Sequence, residues 1–256
     1  MFSVLYESFA VADAEIRKLR RDPTELLSRA IQPVLWLVVF GQVFSAVRGI
    51  PTGQLRYLDY MTPGILAQSI LFSSIFYGIA IIWERDLGIV HKLLVTPAHR
   101  SALVLGKAFA AALRGLVQAM VVYLIAVALL VSVRTQPLAI VTVICSVFIG
   151  SCIFSTFSLV IACIVKTRER FMGIGQVLTM PLFFASNAIY PLDLMPPWLR
   201  VLATINPLTY LVDTLRGAMI VGGVSNYGIT TSFGVMIGVF AVLLAVATRL
   251  YPSLAR

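Results

Sequence analysis

Few residues in this chain are of types that do chemistry, and their spacing excludes the common catalytic arrangements. Gly106-Lys107 is followed by Ala108 and has no earlier glycine. It therefore lacks the Gly-rich turn and the Lys-Ser or Lys-Thr step that cradle phosphates and hold magnesium. His91 and His99 stand eight apart with no acid or cysteine at ligand spacing, which reads as two loop histidines rather than a metal site. There is no HExxH and no pair of aspartates inside an apolar run. Cys145, Cys152 and Cys163 lie in one apolar run at spacings of 7 and 11, on one helical face, where small polarizable side chains serve packing. What remains is neutral and polar. Thr62, Ser69, Ser73 and Tyr77 follow one another at 7, 4 and 4 with Gln68 adjacent, and a later run carries Gln176, Thr179, Ser186 and Asn187. Hydroxyls and amides in lipid must find partners, so they face other helices or a wet cavity. No apolar run has a charge at its centre, which argues against proton- or sodium-coupled carriage. An enzyme is not expected.

The elements that must position these groups are membrane helices. Of 256 residues 59% are hydrophobic and 12% charged, about half the charge of a soluble domain. The apolar residues come in long runs that read as six spans: Ala30–Val47, Tyr60–Trp83, Gly115–Val133, Leu138–Val165, Phe171–Tyr190 and Ile229–Thr248. The expected fold is an all-α polytopic membrane protein in a single transmembrane domain, 1–256. Residues 3–21 carry Leu5, Phe9, Ala12, Ile16 and Leu19 on one face, as an amphipathic helix at the membrane surface would. No cleavable signal peptide is expected ahead of the first span. The segment 84–114 is the one sizeable loop on its side of the membrane. Within it Asp86 can cap a short helix lined by Leu87, Val90 and Leu94 and ended by Thr96-Pro97. Lys107 and Arg114 would snorkel to lipid phosphates.

Ser186–Gly223 is apolar enough for a bilayer, yet Pro191, Pro196, Pro197 and Pro207 divide it. Its longest piece, Leu208–Val221, would reach only ~21 Å against a core of ~30 Å. The stretch should dip in and come back out, as a re-entrant hairpin over 191–221. Asp213 and Arg216, three apart, can neutralise each other there. Fifteen of the 20 Lys and Arg residues fall on one side of the six-span layout and five on the other, which places both termini in the cytosol. The net charge of +9 follows this topology, and no basic face with interleaved aromatics marks a nucleic-acid partner.

An ordered set of motifs resembles the membrane subunits of type-2 ATP-binding-cassette exporters over essentially the whole chain. It comprises Glu84, Gly88, Leu93-Leu94, Pro97, Arg100 and Gly106-Lys107, then Tyr190-Pro191, Met195-Pro196, Trp198-Leu199, Asn206-Pro207-Leu208, Tyr210, Asp213 and Arg216. Ser186–Pro191 is more similar to the multidrug-export branch than to the polysaccharide-export branch, which is the alternative. The resemblance implies a permease in the cytoplasmic (inner) membrane that moves a hydrophobic or amphipathic substrate outward. A separate ATPase subunit would bind ATP and magnesium, so no cofactor is expected on this chain. A second copy or a sibling permease would complete the unit. Glu84, Asp86, Leu87, Gly88, Val90, Leu94 and Pro97 would couple to the ATPase through a helix at Asp86–Val95, with 3–21 as an interface helix. The second and fifth spans would line the pathway at a dimer axis, through Gln68, Ser69, Ser73, Tyr77, Gln176, Thr179, Ser186 and Asn187. Pro191, Pro196, Trp198, Asn206, Pro207, Asp213 and Arg216 would mark the hairpin. The charge bias predicts that cysteines introduced near Arg100 and in the tail react with an impermeant maleimide only from the cytosolic side. Labelling of the tail from outside would instead require an odd number of spans.

Overall fold

The computed structural model describes residues 31–46, 55–95, 99–165 and 167–255. The amphipathic segment 3–21 lies outside them. The described residues are all-helical, without a strand. The helices are α1 (31–46, with a wider turn at Trp36–Phe40), α2 (Tyr57–Asp86), α3 (Ile89–Val95), α4 (Arg100–Ala128), α5 (Pro137–Ile164), α6 (Arg168–Phe184), α7 (Pro197–Ile205), α8 (Pro207–Met219) and α9 (Ile229–Leu250). Four of them, α2, α4, α5 and α9 with its terminal turn, are long and apolar enough to cross a membrane.

Helix ends differ from the expected ones for local reasons. Helix α2 runs through Asp86 because nothing interrupts it before Gly88, whose φ of 72° turns the chain into α3. The expected loop over 84–114 is thereby reduced to the connection 87–99, since residues 100–114 already belong to α4. Helix α6 stops at Phe184, short of the expected Tyr190, and its last carbonyls are taken by side chains from elsewhere. Asn206 Nδ2 donates to Leu182 O at 2.6 Å and Ala185 O at 3.0 Å, and the Tyr190 hydroxyl donates to Phe184 O. These bonds satisfy acceptors that a helix end leaves open. Prolines open three helices at their first turn, Pro137, Pro197 and Pro207, where the missing N–H costs nothing.

Helix α5 is the hub, packed against α2, α4, α8 and α9. As expected, its Ser151, Ser155, Ser158 and Ala162 are buried. Ser158 Oγ donates to Ile75 O of α2 and accepts from Gly78 N at 3.1 Å. A Cβ on Gly78 would strike Ser158 and the Phe171 ring, and one on Gly115 of α4 would strike Ser151. Small residues thus set the helix separation. The three cysteines do not share one environment. Cys152 is buried against α4, Cys163 half-buried and Cys145 exposed, because α5 is covered unevenly along its length.

Two apolar clusters lie along the bundle. One gathers Tyr57, Met61, Val143, Leu211 and Met219, and the other Ile81, Val90, Leu103, Leu159, Phe171 and Tyr251. Arg85, Lys107, Arg168 and Arg249 each stand within a few residues of members of the second cluster along the chain, so we call it the basic end and the other the far end. Gly78→Val should lower stability by ~1–3 kcal/mol through overpacking, read as a drop in the melting temperature of the detergent-solubilised protein. Gly173→Ala, where a Cβ meets open space, should leave it unchanged or raise it.

Candidate functional site

One face of α2 repeats Gln68, Phe72, Phe76, Ile79 and Trp83, with Ser69 and Ser73 beside them. These residues and Gln32 and Pro33 of α1 line a groove of about 540 Å³. From Gln68 to Trp83 it follows fifteen residues of α2, or ~22 Å of helix, from mid-bundle to the basic end. Its lining holds no charged side chain. Ser69 returns its hydroxyl to Ile65 O at 2.8 Å, leaving aromatic faces and the amide of Gln32 as the exposed chemistry.

Of the expected pathway residues, Gln68, Ser69 and Ser73 meet here and the others do not. Tyr77 is turned away from the groove into the core, buried, with the Arg114 guanidinium 4.8 Å from its ring centroid. Gln176 is exposed on α6, while the Thr179 hydroxyl is buried and donates to Gly175 O. Ser186 and Asn187 are buried at the far end, Ser186 closing the turn after α6 through Phe183 O at 2.7 Å.

At the basic end Lys107 of α4 does not reach outward to lipid. It is 3% exposed and donates to the buried Glu84 carboxylate at the end of α2. Arg114 turns inward too, onto Tyr77. Asp86 does not cap the short helix, which begins only at Ile89. Its carboxylate accepts from Arg85 and from Arg168 Nη2, each at 2.8 Å. Leu87 is exposed while Val90 is fully buried, so the two do not line one side. Val90 packs in the cluster that contains Tyr251 and Leu254. Leu94 falls within α3, and Pro97 lies outside the described residues.

At the far end the proline-rich stretch forms a turn at Leu192–Leu194 after Pro191, then α7 from Pro196-Pro197, then α8. Trp198 is exposed. Asn206 caps α8 by accepting from Leu208 N at 3.0 Å while its amide holds the end of α6. Asp213 and Arg216 do not form the expected ion pair. Asp213 accepts from Asn226 N at 2.7 Å, Tyr227 N at 3.2 Å and the hydroxyls of Ser225 and Ser232. Arg216 donates to Asn187 O at 2.7 Å and lies 3.8 Å from the Tyr60 ring centroid. Each charge is met by groups from other elements, so neither needs the other.

Sequence reasoning missed Gln32, Phe72, Phe76, Trp83 and Arg168, and sent Lys107 outward to lipid instead of inward to Glu84. The spacing of 4, 4 and 7 through positions 68, 72, 76 and 83 was available as a signal for the groove. The partners of Lys107 and Arg168 were not, because they come from distant helices.

A polytopic helical bundle with an uncharged groove and a basic end has the features of a membrane transport subunit. The chain belongs to the ABC-2 type transporter family, whose model matches residues 6–220. It is 31% identical over 218 residues to ycf38 of Cyanophora paradoxa, which carries the name of a transport permease, covering 84% of this chain and 74% of that one. It is 25% identical over 218 residues to the inner membrane transport permease YadH of Escherichia coli strain K12, covering 83% and 81%. It is also 25% identical over 198 residues to DrrC of Mycobacterium tuberculosis, named a probable doxorubicin resistance ABC transporter permease protein, covering 77% and 71%.

The buried pair at the basic end makes a prediction. Lys107→Met should destabilise the protein by ~3–5 kcal/mol by taking the ammonium partner from the buried Glu84 carboxylate, whereas Glu84→Met with Lys107→Met should recover most of that loss. Thermal unfolding in detergent reads both, and equal melting temperatures for the single and double variants would refute the pairing.

Proposed function

We propose that this chain is the membrane-spanning permease of an ATP-driven exporter in the inner membrane, moving a hydrophobic or amphipathic substrate out of the cytoplasm. The groove carries this reading: an uncharged, aromatic-lined cleft that runs from the basic end to mid-bundle suits such a cargo better than an ion. The charge bias supports setting the basic end in the cytosol, so the groove would admit substrate from that side. The family and the inner-membrane name of YadH support the location. Six crossings follow if α1 and α6 complete spans beside the four long helices, with α7 and α8 forming a re-entrant hairpin on the outer side.

A separate ATPase subunit would bind ATP and magnesium and dock at the connection 87–99. ATP binding on that subunit would close the cytosolic side and hydrolysis would reset it. Two copies of the chain would face their grooves toward a common axis. The name of DrrC ties that relative to doxorubicin resistance, which makes this amphipathic aromatic drug a fitting probe. Co-purification with the ATPase and doxorubicin-stimulated hydrolysis in vesicles test the reading. Ser73→Trp, which fills the groove, should lower that stimulation about tenfold, equivalent to ~1.4 kcal/mol of binding, while the ATPase still co-purifies. Transport that persists without any ATPase and collapses with an ion gradient would sink the proposal in favour of a carrier.

A further inference from the structure

Arg168, the first residue of α6, stands where three parts of the molecule meet. Its Nη2 donates to Asp86 Oδ2 at 2.8 Å, and its guanidinium carbon lies 3.4 Å from the centroid of the Trp83 indole. Asp86 ends α2 immediately before the connection to α3, and Trp83 is the groove residue nearest the basic end. One planar cation therefore touches the root of the 87–99 connection, the wall of the groove and the start of α6 at once. Its partners come from an element 82 residues away in sequence, so local helix geometry does not produce the contact.

We propose that Arg168 is a positioning residue that ties these three parts into one moving body. A displacement of the 87–99 connection then reaches both the groove and α6. The chemistry calls for arginine. A guanidinium can stack on an indole while its edge hydrogen-bonds a carboxylate, whereas an ammonium keeps the charge but loses the planar stack. The ion pair alone would be worth little, because Arg168 and Asp86 are each about a third exposed (34% and 36%). The stack on Trp83 is what fixes the geometry. Below it Phe171, one turn on in α6, is fully buried against Gly78. The foot of α6 is thus held to α2 by an apolar anchor and a polar one, and only the polar one reaches the connection.

This inference rests on the permease reading for its role in transport, and its physical content is tested without substrate or ATPase. In hydrogen exchange on the full-length permease alone, Arg168→Ala should speed exchange of amides 86–90 and 168–172 together. Amides 103–110 of α4, which lie off the tie, should be unaffected. Arg168→Lys should restore part of the protection. Unchanged exchange in either of the first two segments overturns the tie, as does a uniform increase across α2, α4 and α6, which would mean general loosening. In the complex with its ATPase, the ratio of doxorubicin-stimulated to basal hydrolysis should fall about tenfold in Arg168→Ala, with Arg168→Lys intermediate. A wild-type ratio in Arg168→Ala would overturn the coupling role. A wild-type complex that doxorubicin does not stimulate counts against the permease reading, while the exchange result still decides the tie.

Discussion

The contact on which the rest of the bundle depends is the close approach of α5 to α2 at Ser158. Its hydroxyl donates to the Ile75 carbonyl and accepts from the Gly78 amide, so a polar group buried among apolar helices is used twice. Neither bond could form if Gly78 carried a side chain, because its Cβ would occupy the place of the hydroxyl and of the Phe171 ring. With no hydrophobic gain available between helices in lipid, packing and such bonds are what hold them. With α2 held on α5 in this way, its residues from Gln68 to Trp83 face away from that contact, and Gln32 and Pro33 of α1 complete the groove along them.

The ionisable groups sit toward the two ends of this arrangement and are compensated in different ways. At the basic end Glu84 and Lys107 neutralise each other in the interior, and Asp86 collects Arg85 and Arg168 nearer the surface. At the far end Asp213 is held by amides and hydroxyls of the loop before α9, and Arg216 by carbonyls and an aromatic face. A charge solvated by dipoles needs its whole cage in place, and that cage is drawn from several elements. Asp213 thereby fixes the start of α9 on α8, and Arg216 holds the turn after α6 to the first turn of α2.

Much of this was legible in the sequence where the signal is local. The long apolar runs located the helices, and the prolines divided the stretch that forms α7 and α8. Spacing put Ser69 and Ser73 on one face, but the same reasoning carried Tyr77 along with them. Tyr77 is eight residues past Ser69, ~2.2 turns, whereas Phe76 is seven past, ~1.9 turns. The face therefore continues through Phe76, and Tyr77 has rotated into the core. The pairing of Asp213 with Arg216 failed for another reason. A spacing of three permits an ion pair, but backbone donors at Asn226 and Tyr227, brought close by the turn before α9, satisfy the carboxylate first. Lys107 was unreadable in the same way, since its partner lies 23 residues back on α2, two helices earlier.

Buried polar atoms without a hydrogen-bond partner occur toward both ends. Glu84, Lys107 and Asp86 at the basic end all have charged partners, but the Arg168 Nε beside them is buried without a hydrogen-bond partner. At the far end both side-chain heteroatoms of Asn187 and the Nε of Arg216 are buried without a hydrogen-bond partner. A buried group left unpaired already bears its desolvation cost, so a rearrangement that gives it a partner is opposed less than one that breaks a satisfied bond. The same turn carries Ala188, whose backbone leaves no room for a side chain at Gly64 of α2. Sliding α2 past that point is blocked by the Ala188 backbone. The turn after α6 therefore combines a backbone locked against α2 with side-chain donors and acceptors that a rearrangement would satisfy at little cost.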